Sequence, residues 1–252
     1  MAVHSFARRC VMKSRVLLQG RLGSYDMAAS LLENKAGLEV GGPSEVFKRR
    51  HAFLPVYRVI ARLDNCDISS ETTWASHSEL FCFNPNKPLG KNIFCEGSNL
   101  AIVGDRTYDF VLSSHNLEHF ANPVKALKEW QRVTVKGGVL ILVLPNYRHT
   151  FDHSRQPTTV SHMLADFEQN TPETDLSHLT DILENHDRHL DPAAGTPDEF
   201  RRRSLANHEN RCLHHHVFNE RNIGELLPAL GMEVLSLETA WPFHIFAIAR
   251  MP

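Results

Sequence analysis

Two unbroken apolar runs, "YDFVLSS" (108–114) and "GVLILVLP" (138–145), constrain this chain most, because a segment of helical periodicity separates them. A strand with apolar side chains on both faces must be covered on both, which marks a buried parallel sheet rather than a half-exposed hairpin. Between the runs, "NPVKALKEWQRV" sets Val124, Leu127, Trp130 and Val133 on one helical face, and "KGG" follows as a suitable helix stop. The three segments predict a strand, helix, strand crossover.

Further runs extend the pattern. "GLEV" (37–40), "YRVIARL" (57–63) and "NIFCE" (92–96) come first, so that five strands are expected in order, and "MEVLSLE" (232–238) and "FHIFAIA" (243–249) add two near the end. "NERNIGELLPALG" supplies another amphipathic helix through Ile223, Leu226, Leu227 and Leu230, kinked or shortened by Pro228. No helix separates the last two strands, which predicts an antiparallel pair closed around "TAWP". The expected fold is α/β: a doubly wound, Rossmann-like, mostly parallel seven-stranded sheet with an antiparallel last strand.

From about 148 to 217 histidines, acids and prolines become frequent, and helical stretches such as "VSHMLADFEQ" and "DLSHLTDILENHD" replace strand runs. This reads as a helical insertion between the fifth and sixth strands, forming a lid or a pocket wall. Residues 1–35 read as an N-terminal helical extension and 36–252 as the main domain. The segment before Asp26 is basic and without acids, a composition shared by organelle-targeting peptides and by amphipathic helices packed on a domain.

With 252 residues the chain can bury a full core without disulfides, and its five scattered cysteines lack C-x-x-C spacing, which suits a reducing, cytoplasmic setting. A net charge of -2 creates no general field for a phosphate backbone, so a small-molecule partner is favoured over nucleic acid. The longest apolar run falls far short of the ~20 residues of a membrane span. Oligomeric state is not legible.

"LEVGGPSEVF" (38–47) has the layout of a strand running into a tight turn and then a helix start, where a ligand can approach bare backbone and free N–H groups. It does not match the G-x-G-x-x-G dinucleotide pattern, since only Gly41 and Gly42 are present and Pro43 donates no N–H. A ligand without a pyrophosphate is therefore expected.

Four segments in order resemble the class I S-adenosylmethionine-dependent methyltransferases. "LEVGGPS" is similar to the first motif of that family, with Ser44 in place of a second glycine; "CEGSNL" resembles the segment whose acid meets adenine. "YDFVLSSHNLEHFANPVKALKEWQRVTVKGGVLILVLPN" resembles its fourth strand, helix and fifth strand almost throughout, and "HHHVFNERNIGELLPALGMEVLSLE" its last helix and strand. The insertion resembles that of a subgroup associated with glycosyltransferases of bacterial surface polysaccharides.

The resemblance implies S-adenosyl-L-methionine as cofactor and methyl transfer to an oxygen, or nitrogen, of a small molecule or sugar. It implies that Glu39, Gly41, Gly42, Pro43 and Ser44 line the methionine and ribose side, that Glu96, Gly97 and Ser98 lie by the adenine, and that Ser114 ends the strand facing the methyl group. Asp64, or Asp67 in the same "DNCD", would accept the ribose hydroxyls. The catalytic candidates are His115, preferred for its place at the strand end, then His119 and His153. Glu118 reads as a structural acceptor of backbone donors.

In the insertion, Asp152, Arg155, His162 and His215 are the candidates for holding the acceptor, Arg155 as a forked donor. His214, His215 and His216 are consecutive and cannot all face one way, so they form no metal site alone. With distant His153 or Asp152 they could bind zinc or a similar ion; no metal ligand is assigned. Competing readings are an enzyme of this fold that cyclises or cleaves the cofactor, and a cofactor-binding module without catalysis.

Overall fold

The computed structural model describes residues 20–49, 52–71 and 78–252. Eight strands form one sheet in the order β3-β4-β2-β1-β5-β6-β8-β7. They are β1 (Ala36–Val40), β2 (Arg62–Asp67), β3 (Leu80–Phe81), β4 (Gly90–Phe94), β5 (Tyr108–Ser114), β6 (Thr134–Pro145), β7 (Glu233–Ala240) and β8 (His244–Arg250). β4, β2, β1, β5 and β6 are mutually parallel, while β8 runs antiparallel to both β6 and β7. The expected doubly wound sheet and the closing hairpin are present. The eighth strand is β3, a two-residue edge antiparallel to β4 and too short to leave a sequence pattern.

Alternation along β6 shows why its apolar run is unbroken. Leu140, Leu142 and Leu144 belong to one core layer with Val124, Leu127, Trp130, Ile223 and Leu226, whereas Val139, Ile141 and Val143 belong to the other with Tyr25, Leu32, Phe47, Tyr57 and Phe246. The first layer is covered by helix α3 (Pro123–Val133) and helix α8 (Glu220–Ala229); the second by α1 (Tyr25–Leu32) and the short α2 (Glu45–Lys48). α3 starts on Asn122, whose side chain accepts from Lys125 N–H at 3.0 Å, with Pro123 at the first helical position. It stops at Val133, before "KGG", because β6 begins at Thr134.

One expected strand is displaced. "YRVIARL" is not a strand: Tyr57 lies in a 3-10 turn (Val56–Arg58), and β2 is "RLDNCD". Leu63, Asp64, Asn65 and Cys66 are all buried there, so polar residues stand where an apolar run was sought. Each is satisfied: Asp64 accepts from Tyr108 Oη at 3.0 Å and Lys91 N at 2.9 Å, while Asn65 accepts from Gly42 N at 2.8 Å.

Between β6 and α8 the insertion carries α4 (Val160–Glu168), α5 (Leu179–Asn185), α6 (Pro197–Leu205) and α7 (Asn207–Asn210). It has a small core of Ile182, Ala194, Phe200 and Leu213, yet Met163 of α4 is buried in the main core, where α4 packs on α3 and α8. Of the expected N-terminal extension, α1 is described; the basic segment before residue 20 lies outside the described residues.

Candidate functional site

The carboxyl ends of β1, β2, β4 and β5 share one edge of the sheet, the edge where an open α/β sheet gathers its ligands. After β1 the chain turns at Gly41, with φ +80°, a conformation that costs glycine little. Gly41 and Pro43 are exposed, whereas Gly42 and Ser44 are buried. The turn is held from inside: the Glu39 carboxylate accepts from Ser44 N at 3.1 Å and from the Tyr57 hydroxyl, and Tyr57 Oη accepts from Ser44 N at 2.9 Å. Burial pushes the Glu39 carboxyl up to about 7, against the lowering effect of these bonds.

Glu39 therefore builds the loop that a ligand would lie on. A Cβ at Gly42 would collide with that carboxyl group, so packing within the loop calls for glycine at this position. At Gly97 a Cβ would come within 2.8 Å of the Phe120 ring and 3.0 Å of Val40, again an internal constraint.

Asp64 is excluded as the ribose acceptor. It sits inside β2, 4% exposed, with its carboxylate engaged by Tyr108, Lys91 and Arg62. Asp67 ends β2 and is half-buried at the edge. At the end of β4, Glu96 pairs with Arg211 of the insertion; Arg211 also holds Glu173 at 2.9 Å, and Ser98 Oγ donates to Glu173 at 3.3 Å. The segment expected at the adenine is thereby tied to the insertion.

Among the described residues, the Ser44 and Ser113 hydroxyls are buried without a hydrogen-bond partner at this edge. These orphaned hydroxyls, the exposed turn at Gly41 and the acid Asp67 fit a polar ligand with hydroxyl groups. Ser114 closes β5 half-buried.

Beyond Ser114 the chain adopts a left-handed conformation at His115, φ +49°, uncommon for a side-chain-bearing residue. His115 Nε2 lies 2.8 Å from His244 Nδ1, and its Nδ1 lies 3.8 Å from Glu118 Oε1. Burial, with His244 and His214 nearby, pushes the His115 imidazole down to about 3. A base titrating near 6 to 7, expected for a histidine here, is thus not what this environment makes.

Glu118 and His119 follow in a 3-10 turn, Leu117–His119. Glu118 is 1% exposed, its Oε2 has no hydrogen-bond partner among the described residues, and burial raises its carboxyl to about 7. The Nε2 atoms of His119 and His214 each lie 4.0 Å from Glu118 Oε1. His214 arrives from the end of the insertion, and its Nδ1 is 2.6 Å from Asp152 Oδ2. Burial alone would lower His214, but Asp152 and then Glu118 outweigh it and hold the imidazole above its ordinary range. His214 is named in the sequence only as one of three consecutive histidines that could join Asp152 at an ion, and the chain alone does not tell which of the three meets Glu118.

The remaining candidates are scattered. Arg155 is buried and fully engaged, Nε on Asp181 at 2.7 Å, Nη1 on Asp152 at 2.9 Å and the His214 carbonyl at 2.7 Å, Nη2 on the His215 carbonyl at 3.2 Å. It is a cross-link, not a donor to an acceptor molecule. Asp152 is likewise turned inward onto His214 and Arg155. His153 is exposed and pairs with Asp187 at 3.1 Å, apart from the β5 cluster. His215 is buried, its Nε2 3.0 Å from Asn207 Nδ2. His162 lies on α4 with its Nε2 3.1 Å from His178 Nε2 and 3.4 Å from Asp166 Oδ2, in a second polar cluster that includes His216.

Residues 53–142 match the family described as "Methyltransferase domain". No curated protein matches the chain. Among solved structures, a candidate methyltransferase from Bacillus halodurans C-125 shares the fold with TM-score 0.52 and 13% identity, over 91% of this chain and 97% of its own. An S-adenosylmethionine-dependent methyltransferase from Mesorhizobium loti does so with TM-score 0.52 and 11% identity, over 89% of this chain and 96% of its own. At these identities the likeness is one of fold. Domain match and fold agree: residues 53–142 match a methyltransferase domain, and the chain shares the fold of solved methyltransferases.

Proposed function

We propose that this chain transfers the methyl group of S-adenosylmethionine to an oxygen, or nitrogen, of a small molecule or sugar held between the β5 edge and the insertion. The observation that supports this most is the meeting of His115, Glu118 and His119 from the end of β5 with His214 and Asp152 from the insertion. A bound sulfonium supplies an already activated methyl group, so the protein's work is to hold an acceptor atom in line and to receive its proton. Gly41, Ser44, Asp67, Glu96 and Ser98 are the residues that would hold the cofactor, with Asp67 taking the place expected of Asp64.

On the acceptor side, burial keeps His115 and His119 unprotonated near neutral pH, while the same burial makes both weak bases. Residues 36–252 act as one methyltransferase domain in this reading, with 148–217 as the acceptor wall, and the setting is the cytoplasm. The likeness of the insertion to a subgroup beside surface-polysaccharide glycosyltransferases favours a sugar hydroxyl as acceptor. The test is product analysis: purified protein with methyl-labelled S-adenosylmethionine and a panel of sugar and small-molecule acceptors should release S-adenosylhomocysteine together with a product heavier by one methyl group. Cleavage or cyclisation of the cofactor with no methylated acceptor would overturn the reading.

A further inference from the structure

The strongest unexplained feature of the molecule is the Glu118 carboxylate. It is fully buried, and among the described residues its Oε2 has no hydrogen-bond partner and no lysine or arginine pairs with it. Its nearest charged neighbours are imidazole nitrogens at 3.8 and 4.0 Å, beyond hydrogen-bond distance. Left as a bare anion this group would be costly to bury, and a proton or a cation relieves that cost.

The imidazoles around it are set for that purpose. His119 Nδ1 is 3.0 Å from the Leu213 carbonyl and His214 Nδ1 is 2.6 Å from Asp152. Both partners accept hydrogen bonds, so in each ring Nδ1 carries a hydrogen, and each Nε2 lies 4.0 Å from Glu118 Oε1 as the nitrogen that would give up any proton on taking a metal. Asp152 is in turn fixed by Arg155. A carboxylate or a carbonyl on Nδ1 is the outer-shell arrangement that orients metal-binding imidazoles.

We infer that Glu118, His119 and His214 form a binding site for a divalent first-row transition cation, with Asp152 and the Leu213 carbonyl as its supporting shell. The three ligand atoms all lie within 4.8 Å of one another. In a tetrahedral site with bonds of ~2.0–2.2 Å, donors sit about 3.4 Å apart, so the 4.0 Å separations close by about half an ångström on loading. Two imidazoles and one carboxylate suit a borderline ion such as Zn²⁺ or Co²⁺ better than Mg²⁺ or Ca²⁺. Three protein ligands leave a coordination position for an oxygen of the acceptor, a use that rests on the methyl-transfer reading; the site itself does not.

The second cluster is less well built. There, His216 Nε2 is already 3.1 Å from the Ala121 carbonyl, and His162 and His178 meet each other directly at 3.1 Å.

The test is calorimetric titration of full-length, chelator-treated protein with ZnCl₂, and with CoCl₂ followed by visible absorption. One equivalent per chain is expected, with affinity reduced at least about 100-fold by Glu118→Gln and by His214→Gln, about 10- to 100-fold by Asp152→Asn, and unchanged by His162→Ala. Circular dichroism and S-adenosylmethionine binding, measured on each variant, confirm folding and separate failure of this site from failure of the methyltransferase reading. Absence of a saturable equivalent overturns the inference. So does an affinity unchanged in Glu118→Gln and His214→Gln, or one lost only in His162→Ala, which would locate the ion in the second cluster.

Discussion

His214 Nδ1 lies 2.6 Å from Asp152 Oδ2, joining the first turn of the insertion to its last segment and aiming the opposite ring nitrogen at Glu118. Asp152 makes no contact with an acceptor in this account; it positions His214. Asp152→Asn is expected to lower turnover about 10- to 100-fold while leaving the affinity for S-adenosylmethionine unchanged. Steady-state kinetics beside calorimetry checks this. Equal losses in turnover and cofactor affinity would mean that the pair holds the fold rather than the site.

Arg155 should behave differently, since it stitches Asp152, Asp181 and two carbonyls together from a buried position. Arg155→Met leaves the Asp152 carboxylate without its guanidinium and strands the His214 and His215 carbonyls. Denaturant unfolding should show a loss on the order of 3–5 kcal/mol, the usual effect of breaking a buried pair. A change below about 1 kcal/mol would contradict the cross-link.

Gly42→Ala tests the turn after β1. The new methyl group meets the Glu39 carboxyl group, so the variant should lose about 1–3 kcal/mol of stability as well as cofactor affinity. A variant with wild-type melting behaviour and no cofactor binding would restore the simpler view that the ligand fills this space.

Glu39 should leave a mark on the pH dependence of stability. Its folded-state carboxyl is raised to about 7 from an ordinary 4.5, so the folded chain keeps a proton that the unfolded chain has released. The stability it contributes is fully present below about 4.5 and is lost as pH rises through about 7. The buried histidines His115 and His244, lowered to about 3 and about 4, act in the opposite sense as pH falls below their unfolded value. Comparing wild type with Glu39→Gln removes these shared contributions. The stability advantage of wild type over the variant should shrink between pH 5 and pH 8 by an amount on the order of a few kcal/mol. A difference independent of pH would contradict the burial argument.

The legible parts of the chain were those whose burial leaves an apolar pattern. β5 and β6 could be read because both faces of them are covered, α3 because one face is, and the hairpin of β7 and β8 because no helix intervenes. β2 was misplaced because Asp64 and Asn65 are buried by virtue of partners on β5, β4 and the β1 turn, and such partnership leaves no trace in one segment. The site was legible along the sheet edge, where His115 and Ser44 follow from strand ends. It was illegible in the insertion: how its helices fold back decides that His214 faces Glu118 and that Arg155 faces inward, and neither fact has a local signature.

Asp64 and Asp67 divide two roles that the motif leaves joined. Asp67→Ala should weaken S-adenosylmethionine binding about 10- to 100-fold with stability nearly unchanged, and Asp64→Ala should cost about 1–3 kcal/mol, because Tyr108 Oη and Lys91 N lose their buried acceptor. The reverse outcome would return Asp64 to the cofactor.

The most direct measurement of the central claim is calorimetric titration of the full-length chain with S-adenosylmethionine, S-adenosylhomocysteine and NAD, in wild type and Asp67→Ala. The account predicts one equivalent of S-adenosylmethionine or S-adenosylhomocysteine, weakened in Asp67→Ala, and no binding of NAD. Binding of NAD without binding of S-adenosylmethionine would contradict it.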